Sequence, residues 1–264
     1  MPLFVCPNCR EPLRSVESGF ECSNKHHHDR AKEGYINLLP SHHRKSNHAG
    51  DSGEMVAARK RFLSAGHYLP IRELLSDCVL KLNNRNHSVD LACGNGYFTE
   101  VLRAGGNDVH GVDISKPAIR AASKSVKDVS FAVSNLNYLP FANASMDLAT
   151  LIFAPRLDDM RRVLKPQGNL IRITPGSHHL FELKQQFYET VKEHQRAPLS
   201  LENFKHHDGQ ELRFEMVLSS GDVQHLVAMT PMIHRLTLKM RGLSLNSENL
   251  VVTGHVWVDI FSCI

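Results

Sequence analysis

The sequence predicts an α/β protein, a doubly wound and mostly parallel sheet preceded by a small separate module. Two observations carry that expectation. From Ser88 onward, short apolar runs alternate with helical stretches, the pattern of a sheet covered on both faces. Ahead of them, three of the six cysteines fall within the first 22 residues, in a segment too short to fold on an apolar core of its own. The boundaries read as 1–40 for the module, 41–85 for a basic loop and helical linker, and 86–264 for the sheet domain.

The module comes first. Cys6-Pro-Asn-Cys9 and Cys22-Ser-Asn-Lys-His26 give the spacing C-x2-C-x12-C-x3-H. A two-residue gap points two thiolates of one knuckle at one ion, and the intervening loop returns the chain with the second pair. Four soft or borderline donors so arranged suit a closed, structural, tetrahedral Zn2+ site. Knuckle spacing favours His26 as the fourth ligand, with His27 and His28 facing solvent. The run 41–48, Ser-His-His-Arg-Lys-Ser-Asn-His, has no periodicity and reads either as a loop that meets phosphate or as an inert linker. Asp51 and Glu54 have capping-box spacing before a helix over 55–65, which Gly66 ends. A second helix follows over 70–82.

The sheet domain then unrolls in order. A strand over 89–93 runs into Gly94-Asn95-Gly96 and a helix over 97–103. A strand over 109–114 precedes a helix over 116–127. Strands over 129–133 and 146–153 follow, then a helix over 156–164 and a strand over 169–174. Residues 178–196 read as a helix, 202–210 as a polar loop, and 212–218 and 251–263 as strands, the last closing the sheet as an antiparallel edge. Ligands of such sheets bind at the carboxyl ends of the strands. Gly94 and Gly96 let backbone approach a ligand, and the helix N-terminus behind them favours negative charge. Asp90 lies at the end of the first strand. Asp113, 23 residues later at the end of the second, is placed to bind both hydroxyls of a ribose. The dinucleotide fingerprint G-x-G-x-x-G is absent, because Ala92 holds its first position and Phe98-Thr99 follow Gly96.

Charge adds one constraint. The net charge is +4 and all of it lies in residues 1–72, which suggests an anionic partner such as nucleic acid or simply a basic solvated surface. No apolar run approaches the roughly 18 residues that span a bilayer, and the N-terminus lacks a signal layout. The expected location is the cytoplasm, with no membrane partner.

The stretch Asp90-Leu91-Ala92-Cys93-Gly94-Asn95-Gly96 with its later acid resembles the class I S-adenosylmethionine-dependent methyltransferases. Leu139-Pro140-Phe141 and Leu164-Lys165-Pro166-Gln167-Gly168 support this. With the cysteine module, the run from Lys32 to Pro40, Gly66-His67-Tyr68 and Thr174-Pro175-Gly176-Ser177-His178-His179-Leu180, essentially the whole chain resembles the bacterial 23S ribosomal RNA guanine-N1-methyltransferases. That resemblance implies a guanine in a hairpin loop of 23S rRNA as methyl acceptor, S-adenosylmethionine as donor, and a zinc ribbon that recognises RNA. It implies zinc ligands at Cys6, Cys9, Cys22 and His26, and cofactor contacts at Tyr68, Gly94, Asn95 and His179. Family members tend to dimerise, which leaves a homodimer open for this chain. Two departures stand out: Ala92, where Gly is usual and a negative φ is needed to accommodate Ala, and Asn95, where an acid is usual.

Guanine N1 must lose its proton, and no residue declares itself as the acceptor. His67 is one candidate, against a structural role. Phe153 reads either as a platform for a looped-out guanine, with Arg156 near phosphate, or as core. Cys93 reads as a small buried hydrophobe against a reactive thiol. Two other functions stay open: a small-molecule methyltransferase with a zinc appendage, and an inactive zinc-ribbon RNA-binding protein, for which Ala92 and Asn95 are the grounds.

Overall fold

The computed structural model describes residues 3–39, 50–82, 86–104, 108–134, 136–154, 159–230 and 249–264. The basic run 41–48 and Arg156 lie outside the described residues. In the module, β1 (Arg14–Val16), β2 (Gly19–Glu21) and β3 (His27–Asp29) form a three-stranded antiparallel sheet. The chain continues as β4 (Ile36–Asn37), α1 (Gly53–Ser64), α2 (Leu69–Lys81), β5 (His87–Leu91), α3 (Thr99–Ala104), β6 (Asp108–Asp113), α4 (Lys116–Ser125), β7 (Val129–Val133) and β8 (Met146–Ile152). It ends with α5 (Met160–Val163), β9 (Leu164–Pro175), α6 (Phe181–Gln185), β10 (Phe204–Leu218), α7 (Ser220–Ala228) and β11 (Leu250–Cys263).

The main sheet has the order β10-β11-β9-β8-β5-β6-β7-β4. Strands β5 to β9 run parallel, while β11 is antiparallel to both β9 and β10. The chain steps outward through β5, β6 and β7, then crosses back to β8, so the switch in strand order lies between β5 and β8. Central strands buried on both faces supply the core: Val89, Leu91, Val109, Val112, Leu148, Leu151, Ile171 and Ile173 are all 2% exposed or less.

Several expectations change here. The strand over 251–263 is real but internal; the edge is β10, whose first half had read as a polar loop. Its residues alternate in exposure because one face packs and the other meets water. The helix over 178–196 shrinks to five residues. The chain beyond it is held by side-chain bonds instead: the Arg172 guanidinium donates to the Pro198 carbonyl (2.9 Å), and Arg196 lies 3.8 Å over the Trp257 ring while bonding buried Asp259. Ser52, not Asp51, caps α1, by accepting the Met55 N–H. The helices of the expected linker are core elements, burying Phe62, Leu63, Ile71 and Leu75.

The module is bonded edge-on to the sheet domain. β4 adds a parallel strand beside β7. Val5 N–H donates to the Pro140 carbonyl (2.9 Å), Arg10 donates to the carbonyls of Leu139 (3.0 Å) and Phe141 (2.8 Å), and the Tyr138 hydroxyl donates to that of Pro7 (2.8 Å). One apolar cluster joins Phe4, Leu13, Phe20 and Ile36 to Val89, Leu139 and Phe141. At its side, buried His110 on β6 accepts the Leu3 N–H (3.1 Å) and packs edge-on against Phe4.

Burial pushes His110 down to about 4 from its usual 6.5, so it stays neutral in the fold. Below pH 6.5 the unfolded chain takes up a proton that the folded chain does not, so this contribution to stability is lost as pH falls from 6.5 toward 4. Acidifying from pH 7 to 5 should therefore destabilise the native chain by about 2 kcal/mol more than a His110→Gln variant, at about 1.4 kcal/mol per pH unit. Urea denaturation at both pH values measures the difference; equal losses would remove His110 from the account.

Candidate active site and metal centre

The turn after β5 is built from left-handed residues. Ala92, Gly94 and Gly96 have φ of +56°, +55° and +83°. The negative φ expected at Ala92 is not what the chain adopts, so Ala92 occupies a conformation that favours glycine. The turn is closed by Cys93 N–H to the Val112 carbonyl (3.0 Å) and by Gly94 N–H to Asp113 Oδ2 (2.9 Å); Asp113 Oδ1 accepts the Ser115 N–H (2.8 Å). A Cβ at Gly96 would sit 3.1–3.2 Å from Val126 and Ala122, so glycine lets α4 pack against the turn. Asp90 is 2% exposed, and both its oxygens accept threonine hydroxyls, from Thr99 (2.6 Å) and Thr150 (2.7 Å). Burial raises its carboxyl to about 6. Asp90 thus anchors the turn from beneath, whereas Asp113, also raised by burial, keeps lone pairs free beyond its two backbone donors.

Above the turn, at the carboxyl ends of the strands and at the switch between β5 and β8, lies a cavity of about 1050 Å³. Around the turn it is lined by Asp51, Arg59, Asp90, Ala92, Gly94, Asn95, Asp113 and Ile114. Arg59 pairs with Asp51 and donates to the Met229 carbonyl (3.1 Å), tying α1 to the end of α7. Tyr68, Phe153 and His179 also line it, and their rings pack against one another. His179 Nδ1 accepts the His255 N–H (3.2 Å), so the ring proton sits on Nε2 and donates to the Tyr68 hydroxyl (3.3 Å). Burial lowers His179 to about 3 and keeps it neutral, and it raises Tyr68. The Tyr68 proton then has no acceptor among the described residues.

Phe153 is 37% exposed, has φ of +54° and stacks on His179 with centroids 5.4 Å apart. It is not core: the strained backbone turns the ring out of β8 into the cavity. His67 lies outside the cavity. It packs on Phe62 and faces Asp222 at 3.4 Å, which makes it a structural tie between the α1–α2 turn and α7. Cys93 lines the cavity, 7% exposed, and burial pushes its thiol well up, away from reactivity. The cavity is also lined by residues that the sequence did not single out as site residues: Asp51, Arg59, Lys184 and His194. Asp51 carried a signal only as a helix cap.

The module brings Cys6, Cys9, Cys22 and His26 together, their donor atoms all within 4.8 Å of one another. Cys6 Sγ and Cys22 Sγ each lie 3.5 Å from His26 Nδ1, and Cys9 and Cys22 sulfurs are 3.6 Å apart. Tetrahedral zinc with bonds of about 2.0–2.3 Å requires edges of roughly 3.5–3.8 Å, so this donor set fits Zn2+. His27 is exposed as expected. His28 is not: it is 6% exposed and its Nε2 lies 3.4 Å from Cys6 Sγ, where it orients a ligand from outside the shell.

Comparisons with known proteins follow this division. Residues 4–47 match the family described as RlmA, N-terminal, a zinc ribbon, and residues 89–168 match a methyltransferase domain. A Streptomyces fradiae protein named 23S rRNA (guanine(748)-N(1))-methyltransferase is 34% identical over 86% of this chain and 84% of its own. A Micromonospora griseorubida protein, named for guanine-N1 methylation of 23S rRNA, is 31% identical over 97% of this chain and 96% of its own. Among solved structures, the YcgJ protein of Bacillus subtilis superposes with a TM-score of 0.50 at 16% identity, covering 72% of this chain and 97% of its own. A methyltransferase-type structure from Bacillus halodurans gives 0.51 at 12% identity, covering 71% and 97%. These two likenesses establish the sheet architecture. No helix among the described residues is long and apolar enough to cross a membrane.

Two outcomes are expected. Ala92→Gly removes a left-handed alanine and should stabilise the fold by about 0.5–1 kcal/mol, net of the greater freedom of glycine in the unfolded chain; a drop in thermal midpoint would contradict the strained turn. Elemental analysis should find one zinc per native chain, and Cys22→Ser should lose most of it and lower the melting temperature. Full zinc retention by the variant would exclude Cys22 as a ligand.

Proposed function

The chain belongs to the 23S rRNA (guanine-N1)-methyltransferases, and from that premise we propose that it methylates N1 of a guanine in a hairpin loop of 23S ribosomal RNA. The observation that carries this reading is the two-part cavity. One half is a glycine turn closed by Asp113, and the other offers an exposed, strained aromatic ring. At about 1050 Å³, the cavity lies at the upper end of the roughly 300–1,000 Å³ range of ligand pockets, a size compatible with a donor and an inserted base.

The residues present fit S-adenosylmethionine. Asp113 has lone pairs for ribose hydroxyls, the turn exposes backbone at Gly94 and Asn95, and buried Tyr68 holds a hydroxyl proton without an acceptor among the described residues. When bound, this donor supplies a methyl group on a sulfonium, open to in-line attack by a nitrogen electron pair. The chain's own part is positioning. Asp113, Gly94, Asn95 and Tyr68 hold the donor, His179 fixes the Tyr68 hydroxyl, and the Phe153 ring supports a looped-out guanine by stacking. Asp90 and Gly96 act through the turn rather than on the donor. Cys6, Cys9, Cys22 and His26 hold Zn2+, which fixes the module beside the sheet domain as an RNA-binding surface; the module itself is charge-balanced, and the basic excess follows it in residues 41–72. The reading carries with it a cytoplasmic location, and it leaves open the homodimer that the family resemblance implies.

Methyl transfer from labelled S-adenosylmethionine to unmethylated 23S rRNA, with the nucleoside identified by mass spectrometry, tests the reading. The expected product is N1-methylguanine in one hairpin, and the position for which the Streptomyces fradiae relative is named is the first to inspect. No incorporation by a chain that binds the cofactor would refute an RNA acceptor. A small-molecule acceptor would then be next.

A further inference from the structure

The lining of the cavity contains a pair that this reading leaves unused. Lys184, in α6, donates from Nζ to the His179 carbonyl (2.7 Å) and to His194 Nε2 (2.6 Å). Both side chains line the cavity. Lys184 is half-buried, and no carboxylate among the described residues pairs with it; burial alone lowers it from the usual lysine value. An ammonium without a carboxylate in such a place is costly unless a ligand supplies negative charge. His194 is the means of delivery. Its Nε2 accepts from Lys184, so its ring proton sits on Nδ1, which has no partner among the described residues. Burial and the neighbouring ammonium lower His194 and keep it neutral. Its backbone N–H donates to the Ser177 carbonyl (3.2 Å), which fixes this stretch against the wall.

Building on the proposed function, we propose that His194 donates from Nδ1 to O6 of the target guanine, and that Lys184 strengthens this donor through Nε2. As N1 gives up its proton, negative charge spreads onto O6. A neutral imidazole N–H backed by a cation stabilises that charge more than it stabilises the neutral base. In the step, the N1 proton passes to water, the N1 electron pair forms the bond to the methyl carbon, and the carbon–sulfur bond breaks with its pair left on sulfur. The pair itself neither gains nor loses a proton. The same donor selects the base: guanine presents an acceptor at O6, whereas adenine presents a donor at the equivalent position and would leave His194 facing another N–H. His194 is thus a catalytic residue and Lys184 a positioning residue.

The test uses the full chain and unmethylated 23S rRNA, with kcat and KM followed from pH 6 to 10 for the native protein, His194→Phe, Lys184→Met and Lys184→Arg. S-adenosylhomocysteine affinity is measured by calorimetry on the same samples. His194→Phe should lower kcat by at least about tenfold near neutrality and recover at alkaline pH, where N1 ionises unaided. Lys184→Met should move the rising limb of the kcat profile up by about one pH unit, and Lys184→Arg should restore part of it. Calorimetric affinities should stay within about twofold of native. An unshifted profile overturns the proposal. So does a loss confined to KM, which would assign the cation to backbone phosphate, or a parallel loss of S-adenosylhomocysteine binding, which would assign it to the donor half. A native chain that makes no N1-methylguanine takes down the functional reading and the proposal together, a result distinct from an active native chain with unaffected variants.

Discussion

The carboxylate of Asp113 joins the ends of two neighbouring strands. One oxygen holds Gly94 N–H from the turn after β5 and the other holds Ser115 N–H at the start of α4. Three left-handed residues within five positions would not stay in one conformation unaided. That bond, with Asp90 gripping Thr99 and Thr150 below, fixes the turn in the shape that exposes its backbone to the cavity. The rest of the site follows from this edge: Arg59 lies close over Gly94, Asp51 pairs with Arg59, and α7 is drawn in through Met229. A charged group taken from water and given backbone donors is stable only while those donors stay put, so the site and this part of the fold are one structure.

The module obeys the same economy of contacts. Its 35-odd residues have too little apolar material for independence, and two remedies operate at once. Four donors gathered for zinc close the knuckles, and β4, Phe4 and Arg10 weld the module to the sheet domain through β7 and the Leu139–Phe141 stretch. The cysteine module is therefore a fixed extension of the catalytic sheet, on the side of β7 and away from β10. That arrangement suits a long RNA contact with the reacting base at one point.

Local features were legible in the sequence, and features made by long-range packing were not. The clustering of Cys6, Cys9, Cys22 and His26 could be read because two-residue and three-residue gaps dictate their own geometry. Asp113, Gly94 and Gly96 could be read because a strand followed by a tight turn restricts residue choice at each place. Residues 204–210 resembled a loop because polar side chains break the apolar alternation there, held instead by His206 to Asp259 and His207 to Ser262. Residues 186–196 resembled a helix because nothing local reveals that Arg172 and Asp259, from distant strands, capture the chain. His28 was misjudged for the same reason, being buried against a sulfur. Lys184 and His194 meet only through the fold of that irregular stretch, and no spacing announces them.

The central claim is that the Asp113-closed turn forms a binding site for S-adenosylmethionine. Calorimetric titration of S-adenosylhomocysteine into the native chain and into Asp113→Ala tests it most directly. One site per native chain is expected, with an affinity at least about tenfold weaker in the variant, the scale of a lost hydrogen bond to a charged group. Equal affinity in the two proteins, or no binding to the native chain, would contradict it.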